Sequence, residues 1–404
     1  MKRILLVGGG TGGHIYPLVS VSRELQKKAL EKGLNLELMA LADSNYWRSE
    51  FESQGVKFKT IFAPKLRRVE GGHINLLAFL AIPFTFIQAF WILFIFMPDM
   101  VFSKGSFASL MPSFAAWAYF IPIFVHESDS VPGTANRFAA RLAKRVFISF
   151  ENAAKYFPVK KTVLSGNPVR ADLLDGNRDE ACRRFNLDPA KKTILFLAGS
   201  QGAVFINNLV IAGLVQLIKG FHPVRSLARA KGASPEGLGE ATSNGVQIIH
   251  QAGIRNFEQV KQETEKIKSE GSSGYGRDIE KNYRVFGFMN GEELRDAYAS
   301  ADIVISRSGS NIFEIAALGK PAIVIPYPYS ARSHQKENAM EFVKFGAVVL
   351  EEENLKPHIL IDQIERLLKP ENYSPVGQKI KKFANIRGGE IISEAMISYV
   401  FRQQ

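Results

Sequence analysis

Five glycines fall within six positions at Gly8–Gly13, and an imidazole, His14, follows at once. Glycine permits positive φ and lets a ligand approach the backbone closely. A short apolar run, Ile4–Val7, precedes the loop and helical spacing follows it. A strand-to-helix turn of this kind points free N–H groups and a partial positive charge at an anion. Gly8, Gly10 and Gly13 satisfy G-x-G-x-x-G, which on its own suggests a dinucleotide. A dehydrogenase also wants an acidic residue about 20 positions on, at the end of the second strand; the nearest, Asp43, lies 30 beyond Gly13. An imidazole in the first turn of a helix feels the positive end of the dipole, which disfavours its protonated form. A neutral His14 suits a general base. The competing reading, in which His14 packs or caps, loses ground beside so many glycines.

A second anion site is written in residues 306–339, SRSGSNIFEIAALGKPAIVIPYPYSARSHQKENA. The strand ends in Arg307-Ser308-Gly309-Ser310 and a helix begins, a setting suited to a diphosphate. Glu314 lies about one turn into that helix, where a diphosphate would repel it. Accepting hydrogen bonds from the hydroxyls of a ribose is the better use, an ordinary exposed glutamate the plainer one. Gln335, after a loop stiffened by Pro326 and Pro328, offers a donor and an acceptor, as sugar hydroxyls require. Ser200, in AGSQG, adds a hydroxyl at the start of another helix. No G-x-x-x-x-G-K-[ST], H-E-x-x-H or paired cysteines occur, the 7 histidines make no metal set, and nothing resembles a nucleic-acid motif.

The elements that must hold these residues read as α/β. At 404 residues the chain is too long for one ordinary core and suggests two domains. Residues 3–7, 34–41 and 56–62 read as strands, with a helix over 15–30. The pattern restarts near residue 193 with KTILFLAGSQGAVFINNLVIAGL, and further strands follow at 246–250, 284–286, 302–306 and 322–325. The fold class is therefore α/β: two Rossmann-like, doubly wound parallel-sheet domains facing each other across a cleft. Gly and Pro break the periodicity at 163–174, which sets the domains at 1–166 and 167–386. Residues 387–404 form an amphipathic helix that docks elsewhere. Residues 221–245 and 269–282, rich in Gly, Ser, Lys and Arg, read as surface loops. With 46% hydrophobic and 22% charged residues the chain is globular. A net charge of +12 favours anionic partners, and a lone cysteine, Cys182, fits a reducing cytosol. The four apolar residues after Lys2-Arg3 are too few for a secretory core.

Taken in order, GGTGGHIYP, HESDSVPGTAN, GNPVR, GSQGA, HQAG, RSGSNIFEIAALGKPAIVIPYPY and HQKENA resemble the peptidoglycan N-acetylglucosaminyltransferase family over nearly the whole chain. The resemblance implies a GT-B fold, with the last helix returning to the first domain. It implies an inverting transfer of GlcNAc from UDP-GlcNAc to the C4 hydroxyl of MurNAc-pentapeptide on undecaprenyl diphosphate. That step, lipid I to lipid II, serves cell-wall biogenesis and through it cell shape and division. By position, the resemblance makes Thr11, Gly12 and Gly13 donor-sugar contacts and His14 the base. Arg170 and Ser200 become diphosphate or nucleotide contacts, and Met289 lends its backbone to uracil. Ser310, Asn311 and Glu314 take the diphosphate and ribose, and Gln335 reads the GlcNAc hydroxyls. Asp129 stands where the family usually has Asn, as a further substrate contact. No cofactor and no metal are implied, and partners among cell-wall synthesis proteins are.

Residues 76–97 hold only Thr85 and Gln88 as polar members and are long enough to span a bilayer. Spanning would divide the first sheet between two sides of the membrane. The segment is expected instead, ahead of the alternative of a wholly buried helix, to lie in the cytoplasmic leaflet, with Lys65, Arg67 and Arg68 on anionic head groups, so that residues 65–97 meet the membrane surface. The enzyme is thus expected to be peripheral on the cytoplasmic face of the bacterial inner membrane. The alternatives are a GT-B enzyme with another lipid acceptor, an NAD-dependent oxidoreductase resting on the glycine motif alone, and a catalytically silent membrane scaffold.

Overall fold

The computed structural model describes residues 1–63, 76–199, 201–220, 245–270 and 275–401. The chain divides into two compact units. The first comprises Met1–Arg170, Ala331–His334 and Asn385–Gln404, and the second Ala171–Ser330 and Gln335–Ala384.

In the first unit seven strands form one sheet: β1 Lys2–Val7, β2 Leu36–Ala42, β3 Lys57–Thr60, β4 Met100–Ser103, β5 Ile123–Glu127, β6 Arg145–Ile148 and β7 Thr162–Leu164. Their order is β3-β2-β1-β4-β5-β6-β7, and the paired strands run parallel. The order runs outward in both directions from the β1–β4 pair, so the strand ends open at a switch point there, where open α/β sheets bind ligands. Burial on both faces explains why Ile4-Leu5-Leu6-Val7 reads as an unbroken apolar run.

The helix Gly12–Glu31 covers the sheet with Ile15, Leu18, Val21 and Leu25. The helix Gly388–Phe401 joins the same core through Ile392, Met396, Ile397 and Val400, and Ser393 Oγ donates to the Val21 carbonyl at 3.3 Å. The last helix of the chain is therefore part of the first unit.

The second unit has six strands: β8 Thr193–Leu197, β9 Gln247–Gln251, β10 Tyr283–Phe286, β11 Ile303–Ser306, β12 Ala322–Val324 and β13 Val348–Val349. Their order is β10-β9-β8-β11-β12-β13, again parallel, with the switch point between β8 and β11. Both Rossmann-like domains expected from the sequence are thus present.

One expectation fails in part. Residues 269–282 are expected as a surface loop, yet Tyr275–Asn282 is helical, with Ile279 in the second core and Asn282 buried beside it in sequence. A single apolar residue was too little signal for periodicity to register. Of the two segments read as insertions, 221–244 and 271–274 lie outside the described residues.

The apolar stretch 76–97 is the helix Leu76–Phe96, interrupted in sequence but not in course by Pro83. One face packs inward through Ala89, Ile92, Leu93 and Phe96. Its two polar residues are accommodated: Thr85 is buried, and Gln88 Oε1 accepts from the Phe62 N–H at 2.9 Å. The other face leaves Ile87 64% and Trp91 61% exposed, with Phe94 and Ile95 beside them and Phe120 95% exposed nearby in sequence to the packed helix Phe107–Ala118. Among the described residues no helix is long and apolar enough to cross a membrane. Lys65, Arg67 and Arg68 lie outside the described residues.

Candidate active site

In the first unit the glycine loop sits at the carboxyl end of β1. Gly10 adopts φ +88°, and its N–H donates to Asp43 Oδ1 at 2.8 Å. A Cβ on Gly9 would lie 2.7 Å from that same oxygen and 2.8 Å from Ala108 Cβ. The loop therefore needs glycine twice, once for conformation and once for space. Asp43 follows β2, the place of a dehydrogenase's ribose ligand, yet its carboxylate braces the loop.

Thr11 is the N-cap of the helix, but its exposed side chain makes no capping hydrogen bond. Gly12 is buried, Gly13 half-buried, and His14 N–H bonds the Thr11 carbonyl at 3.0 Å. His14 therefore lies in the first turn, where the sequence put it. Its imidazole is held down to about pKa 4, first by burial and then by the Lys104 charge, with Asp129 pulling the other way. Nδ1 is buried and has no hydrogen-bond partner. The group is neutral at pH 7.

Around it stands a polar floor built from the ends of β4 and β5. Lys104 follows β4, fully buried, and burial lowers its pKa to about 8 against the pull of Glu127 and Asp129. Glu127 ends β5 and is pushed up to about 7 by burial and by Asp129. It accepts from Asp129 N–H at 2.9 Å, Gly133 N–H at 3.1 Å and Asn136 Nδ2 at 3.0 Å. Gly105, at φ +94°, brings the backbone against the Asn136 amide; a Cβ there would lie 2.7 Å from it. Ser103 Oγ, Ser106 Oγ and Asn136 Oδ1 are buried without partners, as Lys104 Nζ is. Buried polar atoms are usually satisfied, so such a concentration at one switch point marks a place that has given up stability.

Asp129 thus lies in the electrostatic reach of His14 rather than isolated on a loop. Arg170, also of the first unit, is buried with its guanidinium 3.9 Å over the Tyr16 ring, beside Val169, whose carbonyl accepts from Ser20 Oγ at 2.9 Å.

In the second unit, β11 runs into Arg307-Ser308-Gly309-Ser310 and the helix Asn311–Ala317. Ser310 occupies the N-cap without a side-chain capping bond. Ser308 Oγ donates to the Gln335 carbonyl at 2.6 Å, and Asn338 Nδ2 donates to the Ser308 carbonyl at 3.1 Å. Gln335 Oε1 accepts from Tyr327 N–H at 2.9 Å. Glu314 accepts from Tyr298 Oη at 3.2 Å, which fixes its carboxylate one turn into the helix. The structure therefore brings Ser310, Asn311, Glu314 and Gln335 into one neighbourhood. Met289 is buried after β10, and its N–H is committed to Gln251 Oε1 at 3.0 Å. Ser200 lies outside the described residues. Among the described residues no group of three or more His, Cys, Asp or Glu could hold a metal ion.

Sequence reasoning missed Lys104, Glu127 and the bracing role of Asp43. Each had a trace in the sequence. A lysine follows the apolar strand just before Gly105, a glutamate ends the run IFVHE, and an aspartate follows LELMALA.

Two parallel-sheet units, each with its polar residues at a switch point, give the two-domain GT-B fold. The comparisons with known proteins agree. Residues 4–148 match the glycosyltransferase family 28 N-terminal domain and residues 193–387 its C-terminal domain. The UDP-N-acetylglucosamine--N-acetylmuramyl-(pentapeptide) pyrophosphoryl-undecaprenol N-acetylglucosamine transferase of Halothermothrix orenii is 33% identical, over 95% of this chain and 93% of its own. The protein of the same name from Thermodesulfovibrio yellowstonii is 31% identical over the full length of both. The crystal structure of Acinetobacter baumannii MurG shares the fold, with a TM-score of 0.66 at 21% identity over 98% of this chain and 99% of that one. The chain belongs to glycosyltransferase family 28 and, within it, to the N-acetylglucosaminyltransferase family that these relatives represent.

Proposed function

We infer that the chain is an inverting glycosyltransferase that moves GlcNAc from UDP-GlcNAc to the C4 hydroxyl of MurNAc-pentapeptide carried on undecaprenyl diphosphate, the lipid I to lipid II step of peptidoglycan synthesis. The C4 oxygen attacks the anomeric carbon, the bond from that carbon to the diphosphate oxygen breaks, and UDP departs with the electron pair. The acceptor proton passes to His14. One observation carries this assignment of the base: an imidazole held neutral at about pKa 4, with an unpartnered Nδ1, directly after a glycine loop at a switch point.

The second unit is assigned the donor. Backbone N–H groups at Ser310 and Asn311 receive the diphosphate and stabilise its growing charge. Glu314, oriented by Tyr298, takes the ribose hydroxyls. Gln335 keeps its Nε2 donor for GlcNAc, since Tyr327 N–H occupies Oε1. Uracil is met by the Met289 main chain, on its carbonyl side because the N–H is already bonded. Thr11, Gly12 and Gly13 face the transferred sugar, and Ser200 and Arg170 are assigned to the donor nucleotide. Asp129 is assigned to the pocket of the base rather than to a diphosphate, which its charge would repel.

The exposed apolar face of the helix Leu76–Phe96, with the exposed aromatics Phe84, Phe90, Trp91 and Phe94, supports a peripheral seat on the cytoplasmic leaflet, where the lipid-linked acceptor lies.

Radiolabelled UDP-GlcNAc and a lipid I analogue test the reading. Label should pass to the lipid in wild-type protein, and not in His14→Ala. A His14→Ala protein that turns over unimpaired would refute the base, and label passing to a diacylglycerol acceptor instead would refute the substrate.

A further inference from the structure

The transfer just described leaves Tyr16, of the opening motif GGTGGHIYP, without a task. Gly12, Tyr16 and Ser20 are spaced by four along the helix Gly12–Glu31 and so lie on one side of it. That stripe grips the segment that closes the first unit's long stretch, Val169-Arg170, at two points. Ser20 Oγ, itself buried, donates to the Val169 carbonyl at 2.9 Å, which pins the main chain. One turn earlier the Tyr16 ring lies under the Arg170 guanidinium, whose central carbon is 3.9 Å from the ring centroid. Arg170 is buried. A guanidinium is planar and weakly hydrated, so it loses less than an ammonium would on leaving water for an aromatic face.

The ring itself has little freedom. A Cβ on Gly12 would lie 3.0 Å from Tyr16 Cε2 and 3.6 Å from Trp47 Cη2, so both rings sit against bare glycine backbone. Trp47, buried after β2, meets Tyr16 edge-on at 5.6 Å, and Tyr46 meets Trp47 in turn at 4.8 Å. One ring thus touches two residues assigned to the donor, Gly12 and Arg170, which come from opposite ends of the first unit's long stretch. An arginine free to rotate loses rotamer freedom when it settles on a phosphate. An arginine already held on a ring loses little at that step.

We propose that Tyr16 is a positioning residue for the donor: its ring, wedged against Gly12 and Trp47, holds the Arg170 guanidinium over its face, ready for the diphosphate of UDP-GlcNAc. Tyr16 acts through the arginine and touches no phosphate itself. The proposal deepens the donor reading and rests on the assignment of Arg170 to the donor nucleotide.

Calorimetric titration of the full-length protein with UDP and with uridine tests it. Tyr16→Leu keeps an apolar side chain and removes the π face. It should weaken UDP by about 5–30-fold, the worth of a partly desolvated cation–π contact, and leave uridine, which carries no phosphate, unchanged. Tyr16→Phe keeps the face and should bind UDP as the wild type does. A Tyr16→Leu protein that binds UDP as tightly as wild type overturns the proposal. An equal loss for uridine overturns it too, because the ring would then be packing for the whole site. Should Tyr16→Leu not fold, Tyr16→Met, whose flexible chain fills the space without a π face, takes its place under the same outcomes.

Arg170→Gln separates the proposal from the reading beneath it. Loss of UDP affinity in Arg170→Gln with none in Tyr16→Leu refutes the positioning and leaves Arg170 on the diphosphate. No loss in Arg170→Gln refutes that assignment and the proposal with it. With both right, Tyr16→Leu added to Arg170→Gln weakens UDP no further, since the ring acts only through the cation. A further loss as large as that of Tyr16→Leu alone overturns the proposal.

Discussion

The two switch points are built alike and finished differently. In the second unit the polar groups at the strand ends are tied to one another: Ser308 to Gln335, Asn338 to Ser308, Gln335 to Tyr327, Glu314 to Tyr298. In the first unit the corresponding groups include His14 Nδ1, Lys104 Nζ, Ser103 Oγ and Ser106 Oγ, buried and unpartnered. A satisfied network is rigid and suits a ligand that arrives the same way each time. An unsatisfied one stores a free-energy cost that binding or reaction can relieve. The contrast teaches where to look for recognition and where to look for chemistry.

The largest expected effect breaks the chemical side. His14→Ala should lower kcat by about 10²–10⁴-fold, the usual contribution of a positioned general base, with KM for UDP-GlcNAc little changed; steady-state kinetics reads both. Next comes the recognition side. Glu314→Ala removes an acceptor of ribose hydroxyls and should raise KM for UDP-GlcNAc by roughly 10–100-fold, the equivalent of a hydrogen bond to a charged group. If Glu314→Ala acted on kcat alone, the division of labour would be wrong.

Gly9→Ala should cost about 1–3 kcal/mol, the price of overpacking, because its Cβ meets Asp43 Oδ1 at 2.7 Å and Ala108 Cβ at 2.8 Å. Differential scanning calorimetry would register it as a lowered Tm, and an unchanged Tm would mean the loop has slack.

The smallest effect sharpens the contrast through pH. His14 and His126 in the first unit and His250 in the second all have pKa values held below the usual 6.5, chiefly by burial, His250 at about 3. The unfolded chain takes up protons as pH falls through 6.5 while the folded one does not, so these imidazoles cost stability toward pH 4. Glu127, raised to about 7 from 4.5, acts in the opposite sense across that window, since the folded form holds its proton longer. With three imidazoles against one carboxyl, Tm should fall between pH 7 and pH 5. A rise would place the dominant titration at Glu127.

Much of the fold was legible because parallel strands buried on both faces spell themselves as short apolar runs stopped by glycine. The runs Ile4–Val7 and Ile303–Ser306 read correctly for that reason, and the flanking glycines and serines gave the two loops. Strands β4 to β7 went unread individually because Met100–Ser103 and Ile123–Glu127 sit among other apolar residues with no period to separate them. In the site, His14, Glu314 and Gln335 announced themselves by type and neighbours. Lys104 did not, since burial is a tertiary fact and a lysine beside a glycine looks like any exposed turn. Glu127 was visible only as a letter in a motif, and its value near 7 comes from Asp129 and from the loss of water.

A crystal structure of the protein soaked with UDP-GlcNAc bears most directly on the division between the two units. Uridine seated against Met289, with its ribose on Glu314 and its diphosphate at Ser310 and Asn311, is the expected outcome. Uridine lodged among Gly8–Gly13, in the unit that carries His14, would contradict it.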